Sequence, residues 1–280
     1  MTATLTTSAG VPTDRRIAVR RSSIAPRGFH RAGRVAWQTD VLGRVEVVHS
    51  LTLDDLSDDS LVSGLVALVD AGAIGGQWEF EETAVGIIRS CSADPDVAWS
   101  AFYDNSVAAL RSGIAAFSPV HRRARSLISG RSVLEVGSCF GFFALQCAQD
   151  GHQVAACDIS PGAVGLLDAA ARRRGTPVHA VVGDATDLPF ADDAVDTVTL
   201  IHLLEHLTEP QVRDAIGQAL RVARRRVVIA IPYEEHPSEH FGHLTTLSED
   251  DLRRWADAVP HAGAQFHTDH GGWLVLTPRD

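Results

Sequence analysis

Apolar and polar positions follow two different rhythms along this chain. From Leu51 to Ala71, acids alternate with Leu and Val at helical spacing, which predicts a helix closed near Gly72 and broken off at Gly75-Gly76. Between Glu79 and Leu127 the same spacing predicts two or three helices, interrupted at Asp94-Pro95 and at Phe117-Ser-Pro119. Ahead of these, Val35–Thr39 and Arg44–His49 flank Val41-Leu-Gly43 and predict a β-hairpin. From Gly130 onward short apolar runs alternate with amphipathic stretches, the pattern of a mostly parallel sheet with helices on its faces. The chain is therefore expected to comprise a flexible tail over residues 1–27, an N-terminal, mainly helical extension over 28–129 and an α/β domain over 130–280.

Within the α/β part the local signals are specific. Ser160-Pro161 is an N-cap followed by proline at the first helical position and opens a helix that ends near Gly175. Thr208-Glu-Pro210 opens another, running to about Arg224, and Ser248-x-x-Asp251 is close to a capping box. Gln265–Asp269 and Trp273–Thr277, joined through Gly271-Gly272, read as a terminal strand pair. The basic runs Arg172–Arg174 and Arg224–Arg226 fall near the ends of predicted helices, where cations complement the helix dipole.

The densest chemistry lies in Ser132-Val-Leu-Glu-Val-Gly-Ser-Cys-Phe-Gly-Phe-Phe143. An apolar strand ends in an acid and a glycine-rich turn, and an apolar helix follows. Such a turn brings backbone N–H groups close to a bound ligand. His152–Asp158 is a second strand ending in an acid, 158 − 137 = 21 residues after Gly137, where doubly wound folds hold ribose hydroxyls. A dinucleotide fingerprint from Gly137 would require glycine at 139 and 142, but those positions are Cys139 and Phe142. The acid-x-Gly-x-x-x-Gly pattern of Glu135, Gly137 and Gly141 resembles instead the first motif of class I S-adenosylmethionine-dependent methyltransferases, with Cys139 in place of the middle glycine. Val182-Gly-Asp-Ala185, Leu188-Pro-Phe190, Ala194–Val198, Leu203-Leu-Glu-His-Leu207 and Val227–Tyr233 continue that resemblance in order.

The resemblance implies a doubly wound α/β fold with a seven-stranded, mostly parallel sheet whose last strand is antiparallel. It implies S-adenosylmethionine as cofactor, its amino acid end surrounded by Glu135, Gly137, Cys139 and Gly141. Asp158, with Ile159 after it, would hold the ribose, and Asp184, with Ala185 beside it, the adenine. Because Cys139 replaces a glycine, its backbone is expected either to keep a negative φ or to carry strain.

An alcohol nucleophile becomes more acidic as it attacks, so a base near it helps. The segment Ile201–His206 follows the fourth strand on the substrate side of this family. His206 is the first candidate base, with Glu205 orienting it. His202, Glu205 and His206, at i, i+3 and i+4, share one helical face and have a metal-ligand spacing. His202, however, is not the oxygen donor that a hard Mg²⁺ site prefers, and no metal is expected. A second cluster, His236–His243, lies in the long loop after the fifth strand, and His243 is the member expected to meet substrate.

Composition narrows the setting. With 35 acidic and 25 basic residues the net charge is −10, which speaks against a nucleic-acid substrate. No apolar run reaches the roughly 20 residues needed to span a bilayer, and four scattered cysteines without a C-x-x-C pair fit the reducing cytoplasm. The lysine-free, Ala/Arg/Val-rich chain fits a high-GC genome. Trp99–Ser106, Gly137–Phe143 and His270-Gly-Gly-Trp273 resemble the mycofactocin oligosaccharide methyltransferase family of actinobacteria. That resemblance implies O-methylation of a glucose hydroxyl on the oligoglucoside chain of a peptide-derived redox cofactor; Trp78, Trp99 and Tyr103 would suit a saccharide, and ordinary core packing explains them equally well. The alternatives are a C- or N-methyltransferase of quinone or amine type, and a catalytically silent binding subunit.

Overall fold

The computed structural model describes residues 17–279. They fall into two compact units. The first runs to Ala116 and includes Glu239–Gly242; the second comprises Phe117–Ser238 and the chain from His243 onward. The boundary thus lies before Phe117 rather than at the expected residue 130. Within the stretch 1–27 expected as a tail, Ile17–Arg21 form a strand, and residues 1–16 lie outside the described residues.

The first unit is less helical than its sequence implied. A four-stranded sheet, in the order β1-β4-β3-β2, is built from β1 (Ile17–Arg21), β2 (His30–Ala32), β3 (Val35–Thr39) and β4 (Val45–His49). The predicted hairpin is β3–β4, and β1 adds to β4 in parallel. Three helices accompany the sheet: α1 (Asp58–Asp70), α2 (Gly76–Ser90) and α3 (Pro95–Ser112). Helix α1 starts later than its apolar spacing predicted, because a Ser57–Ser60 capping box fixes its N-terminus. Leu56, Leu61, Leu65, Phe80, Ile87 and Phe102 fill the core. Trp99 and Tyr103 are buried with them, so these rings are core packing and not a sugar platform; only Trp78 of the three is exposed. The turn at Glu239–Phe241 belongs to this unit, its Phe241 edge-on to Phe80 at 5.2 Å.

The second unit has the expected doubly wound sheet. Its strands are β5 (Ser132–Val136), β6 (Gln153–Asp158), β7 (Val178–Val182), β8 (Val195–Ile201), β9 (Ala223–Ile231), β10 (Gly263–Thr268) and β11 (Gly272–Thr277). They run in the order β10-β11-β9-β8-β5-β6-β7; β11 is antiparallel to both its neighbours, β10 and β9, and the other pairs are parallel. The strand order reverses between β5 and β8, the position at which open α/β sheets bind ligands beyond their carboxyl ends.

Helices α4 (Ser118–Ser126), α5 (Phe142–Gln149), α6 (Pro161–Arg173), α7 (Glu209–Val222) and α8 (Glu249–Ala258) complete the unit. Side chains alternate across a strand, and the core follows that period. Leu134, Val136, Val198, Leu200, Ile229 and Leu274 point to one face, where they pack with Ile216 of α7 and Leu252 and Trp255 of α8. Capping boxes at Thr208–Gln211 and Ser248–Asp251 start α7 and α8 where the sequence placed them. Arg224–Arg226 do not end a helix, however. They open β9, because α7 passes into that strand without a glycine or proline between them. Among the described residues no helix is long and apolar enough to cross a membrane.

Candidate functional site at the carboxyl ends of the strands

The turn after β5 is held by backbone bonds. The N–H groups of Gly137 and Ser138 both donate to the Cys157 carbonyl, at 2.8 and 3.1 Å, which ties the turn to the end of β6. Gly137 has φ +72°, and a Cβ there would come within 2.7 Å of Leu203, so glycine is required both for conformation and for space. Cys139 adopts φ +49°. Of the two expectations for this residue, the strained one holds, and such a backbone costs a non-glycine residue about 1–3 kcal/mol.

Asp158 is the knot of this arrangement. It is 2 % exposed. Its Oδ2 accepts from Cys139 N–H at 2.7 Å, its Oδ1 from Ser160 N–H at 2.9 Å, and its carbonyl from Gly183 N–H at 3.0 Å. One residue therefore joins the ends of β5, β6 and β7. Beside it Ile159 stands 54 % exposed, an apolar side chain left in water at a strand end. Ser138 Oγ is buried and has no hydrogen-bond partner among the described residues. Ser138 was missed in the sequence, although it sits inside the first motif. Asp184 is exposed and spends Oδ1 on an Asx turn, accepting from Thr186 N–H and Oγ–H, both at 2.8 Å; Ala185 beside it is half-buried.

Glu135 faces the other way. Its Oε2 accepts from Ala144 N–H at 2.9 Å, in the first turn of α5 that follows the Gly141 N-cap. Burial pushes its carboxyl up to about 8, against that hydrogen bond, and the nearby Asp158 charge adds to the rise.

The turn after β8 is not the helix that i, i+3, i+4 spacing implied. His202 has φ +49°, and only Leu204–His206 make a single 3₁₀ turn. His202 turns to Phe117, edge-on at 4.7 Å, and burial lowers its pKa to about 4, so the ring is neutral. Its Nδ1 lies 3.8 Å from Glu205 Oε1, beyond hydrogen-bond reach. Glu205 is fully buried, and neither carboxylate oxygen has a hydrogen-bond partner among the described residues. Burial raises its pKa to about 8.

His243 arrives from the loop after β9. Leu244 N–H donates to the Glu205 carbonyl at 2.8 Å, and the His243 ring lies edge-on to His206 at 4.9 Å. His243 Nδ1 is 2.7 Å from Glu234 Oε2, and Ser238 Oγ–H donates to Glu234 Oε1, also at 2.7 Å. Partial burial works to raise the pKa of Glu234, but these two hydrogen bonds outweigh it and hold the group below its ordinary value. An ionised carboxylate only accepts, so His243 donates from Nδ1 to Glu234, and its Nε2 lies 4.0 Å from Glu205 Oε1. His206, Glu205 and His243 are thus brought together, and His202 also stands near Glu205 while its ring meets Phe117 edge-on. Glu234 was not singled out in the sequence, and no local signal separates it from Glu235.

Comparison with known proteins decides what this sheet is. Residues 134–231 match the methyltransferase domain family. That stretch of the second unit is similar to a methyltransferase domain. Its fold is that of the class I S-adenosylmethionine-dependent methyltransferases, and a crystal structure of a Pyrococcus horikoshii OT3 protein has the same fold at TM-score 0.51, with 16 % identity, over 60 % of this chain and 91 % of that one. A demethylmenaquinone methyltransferase of Renibacterium salmoninarum is 33 % identical over 132 residues, 47 % of this chain and 52 % of the relative. The ajmaline N-methyltransferase of Rauvolfia serpentina is 34 % identical over 136 residues, 46 % of this chain and 45 % of that enzyme. The chain spans about half the length of the curated relatives it matches.

The strand ends suit the cofactor of this class of domain. An apolar side chain left in water, a buried hydroxyl without a partner and acids at the ends of β6 and β7 are complementary to an adenine face, a polar tail and a nucleoside.

Proposed function

We propose that this protein is an S-adenosylmethionine-dependent O-methyltransferase of a small-molecule acceptor. The observation that carries the reading is Asp158 knotting three strand ends with Ile159 exposed beside it. When bound, S-adenosylmethionine supplies a methyl group on a sulfonium, open to in-line displacement. Asp158 fixes the glycine turn and faces the ribose, Ile159 covers the adenine, Asp184 and Ala185 border it, and Ser138 Oγ hydrogen-bonds the amino acid end. Glu135, bound to the start of α5, keeps that helix beneath the turn. On the acceptor side, the cluster of His206, Glu205 and His243 takes the proton that a hydroxyl loses as it attacks.

The acceptor we favour is a glucose hydroxyl on the oligoglucoside chain of mycofactocin, supported by the resemblance carried by Trp99–Ser106, Gly137–Phe143 and His270–Trp273. A quinone acceptor is the second reading, favoured by the demethylmenaquinone methyltransferases among the relatives. Incubating the protein and S-adenosylmethionine with oligoglucosides and, separately, with a demethylated quinone tests both. A gain of one methyl on the sugar supports the first reading, and transfer to the quinone alone replaces it with the second.

A further inference from the structure

Glu205 poses a problem that the methyl donor does not solve. A fully buried carboxyl group with no hydrogen-bond partner outside its own residue, among the described residues, is costly, since buried polar groups are normally paired. Two imidazoles face it. Donor atoms of Glu205, His206 and His243 all lie within 4.8 Å of one another. Bonds from nitrogen or oxygen to a divalent ion such as Zn²⁺ are about 2.0–2.2 Å, so two donors on one ion stand at most about 4.4 Å apart. Three donors on one tetrahedral ion stand about 3.3–3.6 Å apart, so the side chains must close by up to about 1 Å, within the reach of rotamer adjustment.

The surroundings match a ligand set as well. A ligating histidine usually gives its other ring N–H to a carboxylate, which fixes the tautomer and aims the lone pair at the ion. Glu234 does this for His243, at 2.7 Å, and is itself held by Ser238. The Leu244–Glu205 backbone bond fixes the loop that carries His243 to the turn that carries Glu205 and His206. His202 is outside the set: its Nδ1 lies 3.8 Å from Glu205 Oε1, but its ring, edge-on to Phe117, does not join the group of three whose donor atoms all lie within 4.8 Å of one another. For this reason the spacing within 202–206 did not disclose the arrangement: the third donor comes from a different loop.

We propose that Glu205, His206 and His243 bind one divalent transition-metal ion, with Glu234 as the positioning carboxylate behind His243. Two imidazoles and one carboxylate select a borderline ion such as Zn²⁺ or Co²⁺ over Mg²⁺, which keeps to oxygen ligands. Three protein donors leave positions open for an acceptor oxygen, whose acidity the ion would raise in place of proton transfer to these side chains. That role rests on the methyltransferase reading; the binding itself does not.

The test uses the full chain, stripped of metal with a chelator and titrated with Zn²⁺ by calorimetry and with Co²⁺ by visible absorption. One saturable equivalent and Co²⁺ bands of a nitrogen–oxygen site are expected. Glu205→Gln and His243→Ala should each weaken binding at least about 100-fold, and Glu234→Gln about 10-fold, in the range found when a partner behind a ligand is lost. His236→Ala, an exposed residue of the same loop, should leave affinity unchanged. Circular dichroism checks folding, and His243→Ala serves alone if Glu205→Gln does not fold. Absence of stoichiometric binding, or binding indifferent to the folded variants, overturns the site. S-adenosylmethionine binding by the metal-free protein, measured in parallel, keeps failure of the metal site distinct from failure of the methyltransferase reading.

Discussion

The two ends of the large sheet treat their carboxylates in opposite ways. At the amino ends of β5 and β8, Asp196 accepts from Arg131 N–H at 2.7 Å, from Ser132 N–H and Oγ–H at 3.1 Å, and from Arg224 Nε–H at 3.2 Å. Those donors hold its carboxyl well below the ordinary range. Thr197 and Ser129 bond each other reciprocally beside it, and Arg226 reaches the Leu127 carbonyl at 2.8 Å. At the carboxyl ends, Glu135 and Glu205 are buried with pKa values pushed up, and Cys139 and His202 sit at positive φ. One end is built to be satisfied. The other leaves the buried Glu205 and Ser138 without hydrogen-bond partners among the described residues, which is where ligands and chemistry are expected.

The comparison is broken most readily by changes that should affect one end alone. His206→Ala is expected to slow turnover at least about 100-fold, the scale of a lost proton acceptor, with S-adenosylmethionine affinity within about threefold. Single-turnover kinetics beside calorimetry check it, and equal losses in both would remove His206 from the chemistry. Asp196→Ala should do the reverse. It should cost about 3 kcal/mol in urea unfolding, as expected for several charge-assisted bonds removed at once, and leave cofactor affinity unchanged.

The pH dependence of stability should differ between the ends in sign. Asp196 has a depressed folded pKa, so its contribution is present above the unfolded value and lost as pH falls through the folded one. Glu135 has a raised one, so its contribution is present below about 4.5 and lost as pH rises toward about 8. Urea midpoints from pH 3 to 9 should therefore lose their acid limb in Asp196→Asn and flatten between pH 5 and 8 in Glu135→Gln. An unchanged profile in either variant would contradict the assignment. The smallest effect is expected from Cys139→Gly. Relief of the positive φ outweighs the added chain entropy by up to about 1 kcal/mol, a rise of a few degrees in Tm.

What was legible in the sequence was what is local. The glycine turn after β5, the Ser160 cap and the capping boxes of α7 and α8 announce themselves within a few residues, and the structure places them there. Strand β1 was hidden because five residues, two of them arginine, adjoin a Thr/Ser-rich stretch and find their partner only across the chain in β4. Arg224–Arg226 were misassigned because α7 and β9 abut without a breaker. In the candidate site, His206 and Glu205 were legible from their place after β8. Their meeting with His243, and the Glu234 carboxylate behind it, depend on the path of a long loop, which no spacing encodes. Trp99 and Tyr103 carried a chemical hint that packing explains instead.

The claim that the carboxyl ends of the strands hold the methyl donor is tested most directly by calorimetric titration of S-adenosylmethionine into the wild type, Asp158→Ala and Asp196→Ala. Saturable one-to-one binding by the wild type and Asp196→Ala, with none by a folded Asp158→Ala, is the predicted result. No binding by the wild type, or undiminished binding by Asp158→Ala, would contradict it.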